Sequence, residues 1–239
     1  SIHESSLGNP YLALEVGRTL GERDPLRIGE EIPAPDRAWE RPGARVEALP
    51  DCQRDVLLAV SLSCDLGVSQ LAAMGRSEAL EDALDSGLVE IRRGRVSATH
   101  PLLAAASRAA AGNRECRDMH RQLAAVAIEE ETRALHLGLA TNVPDEELAT
   151  LLRTASEAAS ARGAREPAVE LAEHALRLTP VESPKRPEHL NVLAESLFVA
   201  GEGCRMNELL TPEIDALPMG GVRGYALLLM CRALLMRGE

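Results

Sequence analysis

Apolar positions in this chain recur at helical spacing almost throughout, and the one clear change of period falls between Gly87 and Ala106. Leu88-Val89-Glu90-Ile91 is a short apolar run. Arg92-Arg93-Gly94-Arg95 is a tight connection in which Gly94 is free to take a positive φ. Val96-Ser97-Ala98-Thr99 then returns. Two short runs around a glycine-containing turn predict a β-hairpin. A lone hairpin is marginal in water and must pack on helices. His100 precedes a proline and is pushed out of the helical region. Pro101 suits the first turn of a helix, where its missing N–H does no harm.

Helical patterns lie on both sides of the hairpin. Before it, Asp51 is placed to cap a helix running to about Ser63, with Val56, Leu57, Val60 and Leu62 as its apolar stripe. Val68–Met74 reads as a second helix stopped by Gly75. Arg76–Ser86 reads as a third, with Ala79, Leu80, Ala83 and Leu84 inward. Three helices followed by a hairpin is the order of a winged-helix module. After the hairpin, Pro101–Ala111 ends at Gly112. Cys116, Met119, His120, Leu123 and Val126 stripe the next helix, and Leu135 and Leu139 mark another. Asp145 caps a long helix with Leu148, Leu151, Leu152, Ala155, Ala158 and Ala159 inward, and Ala161-Arg162-Gly163 turns the chain into a partner helix carrying Val169, Ala172, Ala175 and Leu176. The pattern recurs with Leu190, Leu193, Ala194 and Leu197, a turn at Gly201-Glu202-Gly203, and a helix through Leu209 and Leu210 to Leu217. The two turns are roughly 40 residues apart, near the period of helix-hairpin arrays. Tyr225–Met236 opens a further helix that is apolar on nearly every face and needs neighbours on all sides, a following repeat being the expected one. At the other end, Ile2–Leu20 reads as helix, break and helix, interrupted at Gly8-Asn9-Pro10. The prolines and glycines of Gly21–Gly43 mark a connection between domains. The expected fold is mainly α: a winged-helix module with one β-hairpin, then a tetratricopeptide-like α-hairpin array.

Composition agrees with packed helices. Hydrophobic residues make up 45% and aromatic residues only 2%, so the core has to be built from Ala, Leu and Val, which let helices approach closely. The net charge of −11 is the wrong sign for a surface that neutralises phosphates. The third helix of the winged-helix module, which enters the major groove in DNA-binding examples, carries Glu78, Glu81, Asp82 and Asp85 against Arg76. Arg92, Arg93 and Arg95 on the wing soften that argument without reversing it. The segment is therefore expected to make no direct contact with nucleic acid. Five widely spaced cysteines with no C-x-x-C predict reduced thiols and a cytoplasmic location. The longest apolar run is broken by Arg232 and falls short of the ~20 residues that span a bilayer, so no membrane partner is expected. Opening on Ser1 rather than Met, the sequence reads as a piece of something longer.

Candidate chemistry is sparse. Cys116 and His120 have the i, i+4 spacing of metal ligands, but both lie on an apolar stripe and no second ligand pair accompanies them, so core packing is the expectation. Glu129-Glu130-Glu131 reads as a solvated first turn favoured by the helix dipole. No Ser-His-Asp or Cys-His set can be assembled from spacing, so no catalytic residue, no metal site and no enzyme activity are expected of this segment.

Three pieces together carry a family resemblance. Ser5-Ser6-Leu7-Gly8-Asn9-Pro10-Tyr11-Leu12-Ala13-Leu14-Glu15 resembles the S-x-G-N-P-x-x-x-x-E segment that closes the ATPase module of STAND-type signalling NTPases. Ile32-Pro33-Ala34-Pro35 with Arg45-Val46-Glu47-Ala48-Leu49-Pro50 is similar to the linker and first winged-helix residues of large ATP-binding LuxR-type transcriptional regulators of actinobacterial type. Gly87-Leu88-Val89 with Thr99-His100-Pro101-Leu102-Leu103 looks like the wing and following helix of the same proteins. The resemblance implies that residues 1–22 end an ATPase module, 23–44 are a linker, 45–112 a winged-helix domain, and 113–239 an incomplete tetratricopeptide-like array. It implies a relay and sensor segment that couples nucleotide state to ligand or protein sensing and to oligomerisation. ATP or ADP would bind only in the full-length protein, whose missing N-terminal ATPase domain and C-terminal effector would be the segment's partners. Gly8, Asn9 and Pro10 would form the turn whose proline packs near the adenine. His100 would match the histidine of the related M-H-D-L-L motif, which touches the ADP phosphate and holds the closed state. Thr99 and Pro101 replace that motif's Met and Asp. The alternative is a helical interaction scaffold of a STAND protein with a non-transcriptional effector.

Overall fold

The structure, a computed structural model, describes residues 42–63 and 65–237. Among these the chain is mainly α-helical, with a single two-stranded antiparallel hairpin. In order come α1 (Pro42–Glu47), α2 (Asp51–Leu62), α3 (Val68–Ala73), α4 (Ser77–Asp85), β1 (Val89–Arg92), β2 (Arg95–Ala98) and α5 (Pro101–Ala110). They are followed by α6 (Asn113–Val126), α7 (Glu130–Ala140), α8 (Glu146–Ala161), α9 (Arg165–Leu178), α10 (Arg186–Ala200), α11 (Gly203–Leu210) and α12 (Gly221–Arg237). The expected helices of Ile2–Leu20 and most of the connection to Gly43 lie outside the described residues.

Contacts divide the chain into two compact units. Of the described residues, one takes those up to 68 together with 76–112, and the other takes 69–75 and those from 113 onward. In the first, α5 packs on α1 and α2, and α4 packs on α2. Val46, Leu57, Leu58, Leu80, Leu88 and Leu103 are buried there. The linker expected through residue 44 gives way to α1 at Pro42, since a proline is tolerated at a helix's first position. Asp51 is the first helical residue of α2 rather than its cap. Pro50, at φ −54° and ψ 147°, occupies the boundary, and the Asp51 carboxylate pairs with Arg54. The short α3 departs from the winged-helix expectation, because it groups with the second unit and its Gln70 Nε2 donates to the Val126 carbonyl at 3.0 Å. Six residues with one buried apolar side chain, Leu71, give it little to hold it to the other helices of a winged-helix module.

The hairpin pairs Val89 with Ala98, Glu90 with Ser97, Ile91 with Val96 and Arg92 with Arg95. Its two-residue turn puts Arg93 at φ 54° and Gly94 at φ 80°, the double left-handed geometry that matches strand twist. Glycine takes this freely, whereas arginine does so against a cost of ~1–2 kcal/mol. Val89 and Val96 point inward. The hairpin does not stand alone, because Val96 N donates to Leu66 O at 2.8 Å and Gly67 bridges Arg95.

The second unit is a run of helix pairs. α6 packs on α7, α8 on both α7 and α9, α9 on α10, and α10 on both α11 and α12. Gly163 and Gly201 close the α8–α9 and α10–α11 turns with φ of 83° and 85°. The helix expected to run to Leu217 stops at Leu210, because Pro212 cannot continue it. One apolar cluster joins Ala149, Leu152, Leu171 and Leu178, and another joins Leu190, Leu193, Leu197, Met206, Leu210 and Leu229. In α7 the expected inward residues Leu135 and Leu139 are only half-buried, while Ala134, His136, Gly138 and Ala140 are buried.

Candidate functional site

The sequence points first to the junction between wing and α5. Thr99 N donates to Leu88 O at 3.0 Å, and its Oγ1 donates to Gly87 O at 2.9 Å and Leu88 O at 3.2 Å. These bonds continue the hairpin one rung beyond Val89–Ala98 and hold the end of β2 to the Gly87-Leu88 segment between α4 and β1. His100 follows in extended geometry, φ −143° and ψ 137°, as Pro101 requires. Its Nδ1 accepts from Leu102 N at 3.1 Å, so the imidazole caps α5. Gly8, Asn9 and Pro10, the other residues of the expected nucleotide contact, lie outside the described residues.

The electrostatics of the first unit follow from two neighbouring surfaces. The exposed residues of α4 and its end are Ser77, Glu78, Glu81, Asp82, Asp85 and Ser86. Arg76, the only cation of that stretch, turns onto Asp55 at 2.6 Å. On the wing, Arg92 pairs with Glu90 at 2.8 Å and Arg95 with Asp65 at 2.6 Å, while Arg93 stands at the exposed tip. Two of the three wing arginines thus already serve carboxylates of their own unit.

In the helical unit, residues that spacing did not connect come together. His120 on α6 and His136 on α7 are both buried, their Nδ1 atoms 3.1 Å apart and their rings tilted by 31°. One Nδ1 must donate and the other accept. Burial, and then the charge on His120, push His136 down to about 4, and burial followed by His174 lowers His120 as well. Burial, and then the Arg177 charge, lower His174 on α9. Arg177 reaches across to α7, donating from Nη1 to Thr141 O at 3.0 Å and from Nη2 to Gly138 O at 2.8 Å, which satisfies carbonyls at that helix's C-terminus. His120 therefore meets a histidine sixteen positions on, rather than forming a ligand pair with Cys116. Among the described residues no group of three or more His, Cys, Asp or Glu is arranged to hold a metal ion. A third buried imidazole, His189, donates from Nδ1 to Thr179 Oγ1 at 2.7 Å, because that hydroxyl spends its own proton on Ala175 O.

The start of α7 and the flank of α8 form an open groove of about 510 Å³. Leu151, Ala155 and Ala158 make its apolar wall. Glu129, Glu130 and Glu131 edge it, with Arg162 paired to Glu131. The three glutamates, which periodicity reads as a solvated first turn, thus border a concave surface. Among the described residues no helix is long and apolar enough to cross a membrane. Comparisons with protein-family models, with curated proteins and with solved structures gave no match to this chain.

Proposed function

We propose that this chain is the central relay and sensor segment of an ATP-dependent LuxR-type transcriptional regulator, acting in the cytoplasm. The observation that carries the reading is the junction at Thr99-His100-Pro101. It holds the end of the hairpin to the Gly87-Leu88 segment between α4 and β1 through Thr99, and starts α5 with the histidine that the resemblance assigns to ADP. With Nδ1 accepting in the α5 cap, the neutral ring carries its proton on Nε2, and a phosphate accepting from that N–H would bear on the same imidazole that starts α5, so nucleotide state and the position of α5 would be coupled. The helical unit, with its acid-edged groove, would receive the ligand or partner protein. The acidic face of α4 and the net charge of −11 favour leaving DNA contact to another part of the full-length protein. Catalysis is likewise left to the ATPase module.

The test is His100→Asn in the full-length protein. Asparagine keeps a capping oxygen for α5 and removes the imidazole. Faster loss of bound ADP and raised basal transcription are expected, and unchanged retention with unchanged basal output would refute the assignment. The acid-edged groove also favours a second reading, a helical interaction scaffold whose effector is not transcriptional. In that case partner binding at the groove would be indifferent to nucleotide.

A further inference from the structure

The last helix, α12, has two apolar faces. Ala226, Leu229 and Ala233 are buried in the cluster shared with α10 and α11. The opposite face, Leu227, Leu228, Cys231, Leu234 and Leu235, is exposed, its leucines by 42–75%. At 3.6 residues per turn, Cys231 sits on the centre line of that face, with Leu227 and Leu234 on one side and Leu228 and Leu235 on the other. The nearest charge, Arg232, lies over the Phe198 ring, 4.7 Å from its centroid. The four leucines and Cys231 leave roughly 450 Å² of this surface per chain, within the range of apolar patches that serve a function. Two copies together would bury up to about 900 Å², the size of a weak, concentration-dependent interface.

The order of residues also matters. Leu227-Leu228, Cys231, Leu234-Leu235 reads the same in both directions about Cys231. A patch that is its own complement is what a two-fold interface demands. We propose that this face of α12 is an interface between two copies of this chain, the helices running antiparallel and crossing at Cys231. Leu227 then lies level with Leu235 of the other copy, and Leu228 with Leu234. The small side chain at the crossing lets the backbones approach. The inference stands on this helix alone, and it gives to a second copy the face for which the apolar pattern of Tyr225–Met236 otherwise calls for a following repeat.

Sedimentation equilibrium on the chain tests it, together with diamide treatment of a variant that keeps only Cys231 (Cys52→Ser, Cys64→Ser, Cys116→Ala, Cys204→Ser). The mass should rise with concentration to twice that of the monomer. Leu228→Glu with Leu235→Glu, both at exposed positions, should weaken the dimer by roughly 100-fold while helicity is kept. Diamide should take two electrons and two protons from the paired thiols and leave one Cys231–Cys231 disulfide, which requires Cα atoms within ~7 Å. A chain that stays monomeric at high micromolar concentration overturns the proposal and leaves the face to another segment or partner. So does a dimer indifferent to the glutamates, or one that Cys231 does not cross-link. Should the double variant lose helicity, the cross-link decides, since it is made with every leucine intact.

Discussion

His136 shows what one buried side chain does to the whole chain's response to acid. Its ring lies against His120 in a dry site, which pushes its pKa down to about 4 from an ordinary 6.5. An unfolded chain takes up a proton at this residue near pH 6.5, whereas the folded one does so only near 4. Between those values the unfolded state binds more protons, so stability falls as pH drops from 6.5 to 4 and levels off below that. The loss from this one group is about 3 kcal/mol. Denaturant midpoints measured between pH 7 and pH 4 should fall accordingly, and the His136 ring signals in an NMR titration should stay those of neutral imidazole through pH 5.5. A midpoint near 6.5 for His136 would contradict the buried pair. Nothing in the sequence pointed to this residue, because its partner is on another helix and no spacing rule connects them.

Among the described glycines, Gly138 has the tightest surroundings. A Cβ placed there would lie 3.3 Å from both terminal carbons of Leu152 and 3.4 Å from His174 Cβ. Gly138→Val, with two further methyl groups, should destabilise the chain by about 1–3 kcal/mol through overpacking, read as a lower urea midpoint at unchanged slope. An unchanged midpoint would mean that α7 has room the geometry denies. The same crowding explains why the stripe expected from Leu135 and Leu139 is not the buried one. α6, α8 and α9 all contact α7, so the helix is covered on several sides and its smallest residues take the closest approaches. Periodicity finds one buried face and has no means of seeing three neighbours. In α8 the expected cap holds, Asp145 accepting from Leu148 N at 2.9 Å, and Leu152, Ala155 and Ala159 are buried as the pattern expects, while Leu151 and Ala158 are exposed.

Charge is a property of the molecule as a whole. A net −11 and the run of carboxylates on α4 oppose any polyanion. Fluorescence anisotropy with labelled duplex DNA at about 150 mM salt should show no binding at micromolar chain, where even non-specific DNA binders give Kd values of ~10⁻⁴–10⁻⁶ M. Binding that weakens steeply as salt is raised would instead show that the wing arginines dominate. The grouping of α3 with the helical unit also belongs to this scale. Sequence order placed it within the winged-helix run, but Ser69–Gly75 group with the chain from Asn113 onward, and Gln70 bonds to Val126, 56 residues away.

The sequence by itself determined the helical character, the hairpin with its Arg93-Gly94 turn, the helix start at His100-Pro101 and the glycine turns of the array. Each follows from periodicity, proline geometry or the left-handed freedom of glycine over a few residues. Tertiary structure alone decided that His120 meets His136, that Arg177 closes the end of α7, that Glu129–Glu131 border a groove and that α3 groups with the later helices. Those outcomes depend on side chains brought together from elements far apart in the chain, and no local pattern encodes the distance between them.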